Sequence, residues 1–547
     1  MQNIVKWGNK GIFNIILNLL LLFVLSLVFS FELLKINLKF FAILQQNNYL
    51  PLKTFKWWVL SKLKNDKLFY LLTDLLFFVV VVNLFIYYNL PFYFYYCLFL
   101  GVVCYLFVLL TAVNIKNLKV KFVLTARMKR LLCLTAILQT MFLYFSLVMM
   151  CAVSINFFYM FLCFMLFSPL VYVLAVFLIL PFEKLIKKFY ILKAKNKLKQ
   201  FKNLTVIAIT GSYGKTSTKK YLFEVLKQKY SVCISPNSYN TEMGITKTIL
   251  NELKPYHQIL ILEFGADRKN DIKKLCNIVS PDISVVTSVG QQHLKTFKTI
   301  DNIIKTKYQI VEGTKHNGLF VTNIDNDICK NFFNKTKINK LAVSKFDNGC
   351  YCYLNGFSET KSGLKMNCVL NNEILELSSS LLGEFNVDNI LIVVSIAKHL
   401  GLSNFEIKNA ICNLKAVSHR LELKQLNNGA VVVDDSFNSN PVGAAVAINT
   451  IKKIATKTIV VTCGMVELGE LQYKLNFEFG VNLAVVDVVI VVNDLNFAAI
   501  NNGLKSVCDK QIIKFNDFLS AYNYAVKNSN ENTAILIEND LTDLYIV

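Results

Sequence analysis

The chain has 547 residues, 54% of them hydrophobic, with a mean hydropathy of +0.44 and a formal net charge of +23. That length supports three or four domains, and that hydropathy excludes a purely soluble enzyme. Residues 1–200 hold 22 Lys and Arg against 4 Asp and Glu, so +18 of the charge lies there. It sits in clusters between apolar runs, which fits a membrane surface and not nucleic acid.

The first apolar run, residues 12–31, is almost uncharged and long enough to span, since about twenty apolar residues cross a bilayer core. Residues 32–67 mix seven lysines with Trp57 and Trp58 and read as an interfacial segment. Four further apolar runs fall near 69–88, 92–113, 131–153 and 157–180. The basic stretches 114–130 and 183–202 carry the positive-inside signal, which puts 32–67, 114–130 and everything after 183 on the cytoplasmic side. Asp74 lies inside the second run. An intramembrane acid is a functional candidate by default, but near the cytoplasmic edge Asp74 reads as simply wetted. The expectation is an α-helical membrane region over 1–200 with about five transmembrane helices, in a bilayer whose lipid is then a partner.

From residue 204 the texture changes. Val206–Ile209 is a short apolar run typical of a buried parallel strand. It leads into Thr210-Gly211-Ser212-Tyr213-Gly214-Lys215-Thr216-Ser217 and then a helical pattern from Lys219. Strand, glycine turn and helix form a phosphate cradle, because glycines let backbone N–H groups close on an anion at the positive end of a helix. The spacing is the short G-x-x-G-K-T form. Lys215 is placed to reach the β- and γ-phosphates of ATP, and the Thr216 hydroxyl to hold Mg2+. Strands at Ile259–Leu262 and Ile283–Thr287, alternating with helices such as 300–311 and 387–400, predict a parallel sheet covered by helices. Residues 341–380 read as small antiparallel strands. The alternation restarts near 416 with strands at 430–434, 459–462 and 488–492, a second doubly wound domain. The fold class expected is therefore multi-domain: a helical membrane region (1–200), a P-loop α/β domain (201–415) and a Rossmann-like α/β domain (416–547).

Glu263 ends the strand Ile259–Leu262. An acid at the carboxyl end of a central strand beside a P-loop is where a Mg2+ ligand belongs. His293 follows another strand, at the same edge. Arg420 is one of only four arginines against 55 lysines, which suggests a need for fork geometry on phosphate or base. The fourteen cysteines include no C-x-x-C, which fits reduced thiols and argues against a zinc ribbon.

Taken in order, Thr210–Thr216, Ser238-Tyr-Asn240-Thr241, Leu262-Glu263-Phe264-Gly265-Ala266, Thr306-Lys307, Asn323-Ile-Asp325, Gly383-Glu-Phe385-Asn386-Val-Asp-Asn389, Ser418-His419-Arg420, Asp434-Asp435-Ser436-Phe437-Asn438-Ser439-Asn440-Pro441 and Met465-Val-Glu467-Leu468-Gly469 resemble the motifs of the ATP-dependent Mur ligases of peptidoglycan synthesis. Within that family the likeness is greatest to the member that adds D-alanyl-D-alanine. The resemblance implies Glu263, His293 and a carbamylated Lys307 at two Mg2+ ions. It also implies that Asn389 reads adenine, that Arg420 and Asp435 face the nucleotide, and that Asn438 supports their loop. Four departures stand out. Phe385 and Gln309 replace the family's histidine and acid, Glu538-Asn539-Asp540 replaces K-G-S, and residues 1–200 replace the domain that grips the UDP-sugar.

The implied activity is an ATP-dependent amide ligase that acts through an acyl phosphate at the bacterial inner membrane. Its partners are a peptide-bearing cell-wall precursor, D-alanyl-D-alanine and other cell-wall synthesis proteins, with no nucleic acid. Two alternatives remain open: another Mur-type ligase such as a poly-γ-glutamate synthetase, and an ATP-gated transporter or scaffold.

Overall fold

The computed structural model describes residues 16–65, 122–152 and 168–539, apart from eight isolated positions (18, 21, 25, 32, 36, 237, 361 and 438). The expected spans at 69–88 and 92–113, with Asp74, lie outside the described residues, as do Asn438 and Asp540. The chain divides into two units between Ile186 and Lys187.

In the first unit, helices α1 (Leu38–Gln46), α2 (Pro51–Asn65), α3 (Ala126–Ala152) and the start of α4 (Ser168–Leu198) are described. Phe40, Phe41, Met128 and Tyr172 are buried together. A polar thread crosses this apolar packing. Gln139 Nε2 donates to Tyr172 Oη at 3.2 Å, and that hydroxyl donates to the Leu33 carbonyl at 3.4 Å. Arg130 grips Glu183 at 2.7 Å. Among the described residues two stretches, Ala126–Ser146 and Pro169–Leu198, are long and apolar enough to cross a membrane. The basic stretch that begins at 183 is helical as far as Leu198, because α4 continues through Pro181. Lys, Leu and Ala are strong helix formers, and their propensity carries the helix past the proline.

In the second unit the sheet order is β2-β3-β1-β4-β5-β6-β7-β8-β9. Its strands are β1 (Thr205–Thr210), β2 (Val232–Ile234), β3 (Ile259–Glu263), β4 (Ile283–Val286), β5 (Leu319–Asn323), β6 (Asn339–Ser344), β7 (Cys352–Thr360), β8 (Gly363–Leu370) and β9 (Glu373–Ser379). Strand alternation divides the core between two faces: Ile207 and Ile209 join one apolar cluster, Val206 and Ala208 the other. The expected antiparallel strands are present as β7–β9, but they extend the main sheet, with β6 pairing parallel to β7. The chain leaves β1 toward β2 and returns to the other side of β1 at β4. A crevice therefore opens at the carboxyl ends of β1, β3 and β4, the usual ligand position in such sheets. Helices α5 (Lys215–Leu226), α6 (Ile300–Glu312) and α7 (Phe385–His399) cover the sheet.

The second sheet has the order β10-β11-β15-β12-β13-β14 and is parallel except at β10. Its strands are β10 (Glu422–Gln425), β11 (Val431–Asp435), β12 (Lys457–Thr462), β13 (Val488–Val492), β14 (Ile513–Phe515) and β15 (Thr533–Glu538), with α8 (Pro441–Ile454) following β11. Pro441 at the start of α8 is preorganised for a helix, and the Asn440 side chain accepts from Gly443 N at 2.9 Å to close the N-terminus.

Candidate active site

The phosphate loop joins β1 to α5, whose helix begins at Lys215, four residues before the sequence pattern suggested. Gly211 and Gly214 have φ of +148° and +79°. A Cβ at Gly211 would lie 2.0 Å from Thr287 Oγ1, and one at Gly214 2.5 Å from Asn389 Oδ1, so neither position admits a side chain. The loop is cross-braced to the segment after β4. Ser212 N donates to the Ser288 carbonyl at 2.7 Å, Ser212 Oγ to that of Gly290 at 3.1 Å, and Tyr213 Oη to that of Gln291 at 3.1 Å. The Lys215 ammonium is held by the carbonyls of Gly211 and Ser212, at 2.8 and 3.1 Å.

Glu263 ends β3 and is 2% exposed. Its carboxylate accepts from Thr216 Oγ1 at 3.0 Å and Asn240 Nδ2 at 3.2 Å, and pairs with Lys219 at 3.3 Å. Burial by itself would raise this carboxyl. The ammoniums of Lys219 and Lys215 and the two hydrogen bonds outweigh burial and hold it below the usual carboxylate range. Lys219, 1% exposed, also donates to the Ser235 carbonyl at 3.1 Å. Sequence reasoning missed Lys219. It follows Lys215 by four residues and so shares its helix face, but nothing local says that this lysine, of 55, goes inside.

His293 stands in the left-handed region (φ 53°), as does Glu467 (φ 64°), and the two meet: Nδ1 is 2.6 Å from Glu467 Oε2. A carboxylate only accepts, so Nδ1 carries a hydrogen. Nε2 is 3.5 Å from Asp267 Oδ1. A histidine oriented by a carboxylate in this way is the usual arrangement for a metal ligand. The Glu467 contact was also not legible, although the segment that carries it was.

Lys307, on α6, is 2% exposed. Burial first, then the Lys215 ammonium, push it well below the ordinary lysine value, which favours a neutral, nucleophilic amine. Asn389 is buried against Gly214, its oxygen accepting from Thr218 Oγ1 at 3.0 Å. Arg420 lies over the Phe437 ring at 4.7 Å. The paired acids of β11 point opposite ways, as alternation requires. Asp434 is engaged by Lys424 at 2.6 Å and His419 at 2.9 Å. Asp435 faces the crevice, where burial pushes it up to about 6 against the opposing pull of Arg420. Asp388 is likewise pushed up to about 6 by burial, with Lys345 opposing.

Ser212, Tyr213, Gly214, Lys215, Thr216, Ser217, Glu263, His293, Lys307, Asn389, Arg420 and Asp435 all line one cavity of 820 Å³ between the two sheets. The hydroxyl of Thr216 and the ionised carboxylate of Glu263 are hard oxygen donors and suit Mg2+. His293 Nε2 with the Lys307 amine offers a second group.

A parallel sheet with a glycine-bounded phosphate loop, closed by a doubly wound second domain, defines a P-loop nucleotide-binding protein of two α/β domains. Residues 209–397 match the Mur ligase middle domain, and residues 419–538 match the Mur ligase, glutamate ligase domain. Together these matches take in more than half of the chain, which belongs to the Mur ligase family.

Its curated relatives include the UDP-N-acetylmuramoyl-tripeptide–D-alanyl-D-alanine ligases of Buchnera aphidicola subsp. Baizongia pistaciae and of Escherichia coli. The first is 28% identical over 49% of this chain and 58% of the relative, the second 27% identical over 48% and 58%. The chain thus spans less than two thirds of the length of these relatives. The crystal structure of the MurF ligase from Thermotoga maritima in complex with ADP superposes with a TM-score of 0.58 at 28% identity, over 65% of this chain and 80% of that one.

Two predictions follow from this geometry. Lys219→Met strands a buried carboxylate and should cost about 3–5 kcal/mol of stability. Adding Glu263→Gln should recover much of it in thermal unfolding, and strictly additive losses would show that the two do not act as a pair. An ionised Asp435 is a stronger acceptor for a nucleotide hydroxyl than the neutral acid. Because its carboxyl is held at about 6, kcat/KM for ATP should fall below about pH 6, and Asp435→Asn should remove that limb while Asp388→Asn leaves it.

Proposed function

We propose that the chain is an ATP-dependent, ADP-forming amide ligase that joins D-alanyl-D-alanine to a UDP-linked muramoyl tripeptide in peptidoglycan synthesis. The observation that carries this reading is the single cavity in which Lys215, Glu263, His293 and Lys307 of the first sheet face Arg420 and Asp435 of the second. A site that only gates on nucleotide needs the phosphate loop alone. The named relatives and the ADP-bound MurF support the choice of substrates.

The γ-phosphoryl group of ATP passes to the peptide carboxylate, giving an acyl phosphate and ADP. The amine of D-alanyl-D-alanine then attacks the acyl carbon, and phosphate leaves. Lys215 balances the charge that develops on the transferred group, and backbone N–H groups at the start of α5 orient it. Arg420 and Asp435 hold the nucleotide from the opposite wall. Thr216 and Glu263 would hold one Mg2+, and His293 with Lys307 a second; when bound, these ions would neutralise phosphate charge. A neutral Lys307 amine would add to carbon dioxide, its nitrogen bonding the carbon and releasing one proton to solvent, to give a carbamate with a carboxylate at the end of a long arm.

The membrane reading belongs to the same proposal. The lysine excess of residues 1–200 and the two long apolar helices favour a multi-pass protein of the bacterial inner membrane, with its ligase domains on the cytoplasmic side.

Lys215→Ala should lower amine-dependent ADP release by at least ~10²-fold, the scale of removing one donor to a developing charge, and leave membrane insertion unchanged. ADP release in the presence of each candidate amine then identifies the acceptor, and equal release with and without D-alanyl-D-alanine would overturn the assignment. Lys307→Ala should be inactive and partly rescued by acetate or formate, whereas Lys307→Arg should not be rescued. Full activity in Lys307→Ala would remove the carbamate from the scheme.

A further inference from the structure

A second, wholly different hollow lies at the other end of the first sheet. The carboxyl ends of β1 and β3 carry the phosphate loop and Glu263. Their amino ends, Thr205 and Ile259, line a cavity of 780 Å³ whose walls also include Lys197, Lys202, Lys254, Tyr256 and His257, and no Asp or Glu. The cations are held there by local geometry. Lys197 Nζ donates to the carbonyls of Leu250 and Leu253, at 3.0 and 2.7 Å, which pins its ammonium to the wall. His257 Nδ1 accepts from Lys254 N at 2.9 Å, so its Nε2 is left as a donor. Tyr256 is 68% exposed, and its ring lies 4.5 Å from that of His257. A concave wall of ammoniums, an N–H donor and a tyrosine, without a counter-charge, fits a phosphate ester.

The helix that leads into this hollow supplies the second observation. On one face of the end of α4, Ile191, Ala194 and Leu198 pack on the core, and Lys187 pairs with Glu242 at 2.8 Å. The other face presents Lys188, Phe189, Tyr190, Leu192 and Lys193 to solvent, with Phe189 63% and Leu192 49% exposed. Aromatic and leucine side chains interleaved with lysines are the pattern of a helix lying in a bilayer interface. A soluble phosphate would use the lysines and leave the apolar side chains in water; an anionic lipid engages both.

We propose that the basic hollow and the outer face of α4 bind an anionic phospholipid, the phosphate ester against Lys197, Lys202, Lys254 and His257 and the apolar boundary against Phe189 and Leu192. This rests on the membrane reading given above, and it makes the Lys187–Asp540 unit a lipid-contacting body in its own right.

Hydrogen exchange on the full chain in nanodiscs tests it. Replacing phosphatidylcholine by an equal mixture with phosphatidylglycerol should slow exchange in 187–204 and 252–259 by at least about fivefold, the scale of several lysines near an anionic surface. Lys202→Gln/Lys254→Gln, two exposed positions remote from the nucleotide cavity, should lose that protection and keep ADP release. Equal exchange in both lipids, or unchanged protection in the double variant, overturns the proposal. So does equal protection by inorganic phosphate in phosphatidylcholine discs, which would mark a soluble-anion site. Carbonate extraction reports separately on the membrane reading. If the chain washes off, soluble dihexanoylphosphatidylglycerol replaces the discs, and the same protection at the same segments still supports the lipid site, while its absence overturns it.

Discussion

A buried, ionised carboxylate sets the terms for the active site. Taking such a group out of water costs several kcal/mol even after relaxation, and the cost is recovered only when its partners are in place. Glu263 draws them from two parts of the chain: Thr216 and Lys219 on the helix of the phosphate loop, and Asn240 from the loop before the next helix. Satisfying one charge thus fixes the helix that carries Lys215 relative to the strand beside it. Its ammonium partner is itself tethered, to the Ser235 carbonyl.

The second constraint joins the two sheets. His293 and Glu467 both occupy the left-handed region, which costs a non-glycine residue of order 1–3 kcal/mol each. Their mutual hydrogen bond at 2.6 Å lies at the meeting of the loops that follow β4 and β12. Strain of this kind persists only where surrounding structure imposes it. Here the contact turns a histidine of one domain toward the nucleotide cavity by means of a carboxylate of the other, so the imidazole is oriented only while the domains are together.

The parts of the site legible in the sequence are those built from local pattern. The phosphate loop, Glu263 and Asp435 sit at strand ends, and a short apolar run followed by a glycine turn or an acid marks a strand end. Lys219 was not legible, because choosing one lysine for the interior is a decision of tertiary packing. The joining of β7–β9 to the main sheet was missed for a related reason, since pairing between strands leaves no trace in either strand. The carbamate implied for Lys307 cannot be written in any codon. What the fold adds is the burial, beside the Lys215 ammonium, that pushes the amine well below the ordinary lysine value.

The bracing of the phosphate loop has a consequence for biogenesis. The loop spans residues 210–216, yet its conformation is moulded against Thr287 and Ser288 on one side and Asn389 on the other. Contacts of such sequence separation form late, because the intervening chain must be ordered first. A nascent chain that has emerged from the ribosome only as far as residue 300 carries the complete motif and its Thr287–Ser288 support, but lacks Asn389, the support on the other side. The finished form of the loop therefore waits on α7, and a product truncated before Asn389 contains the whole motif with one of its two supports missing.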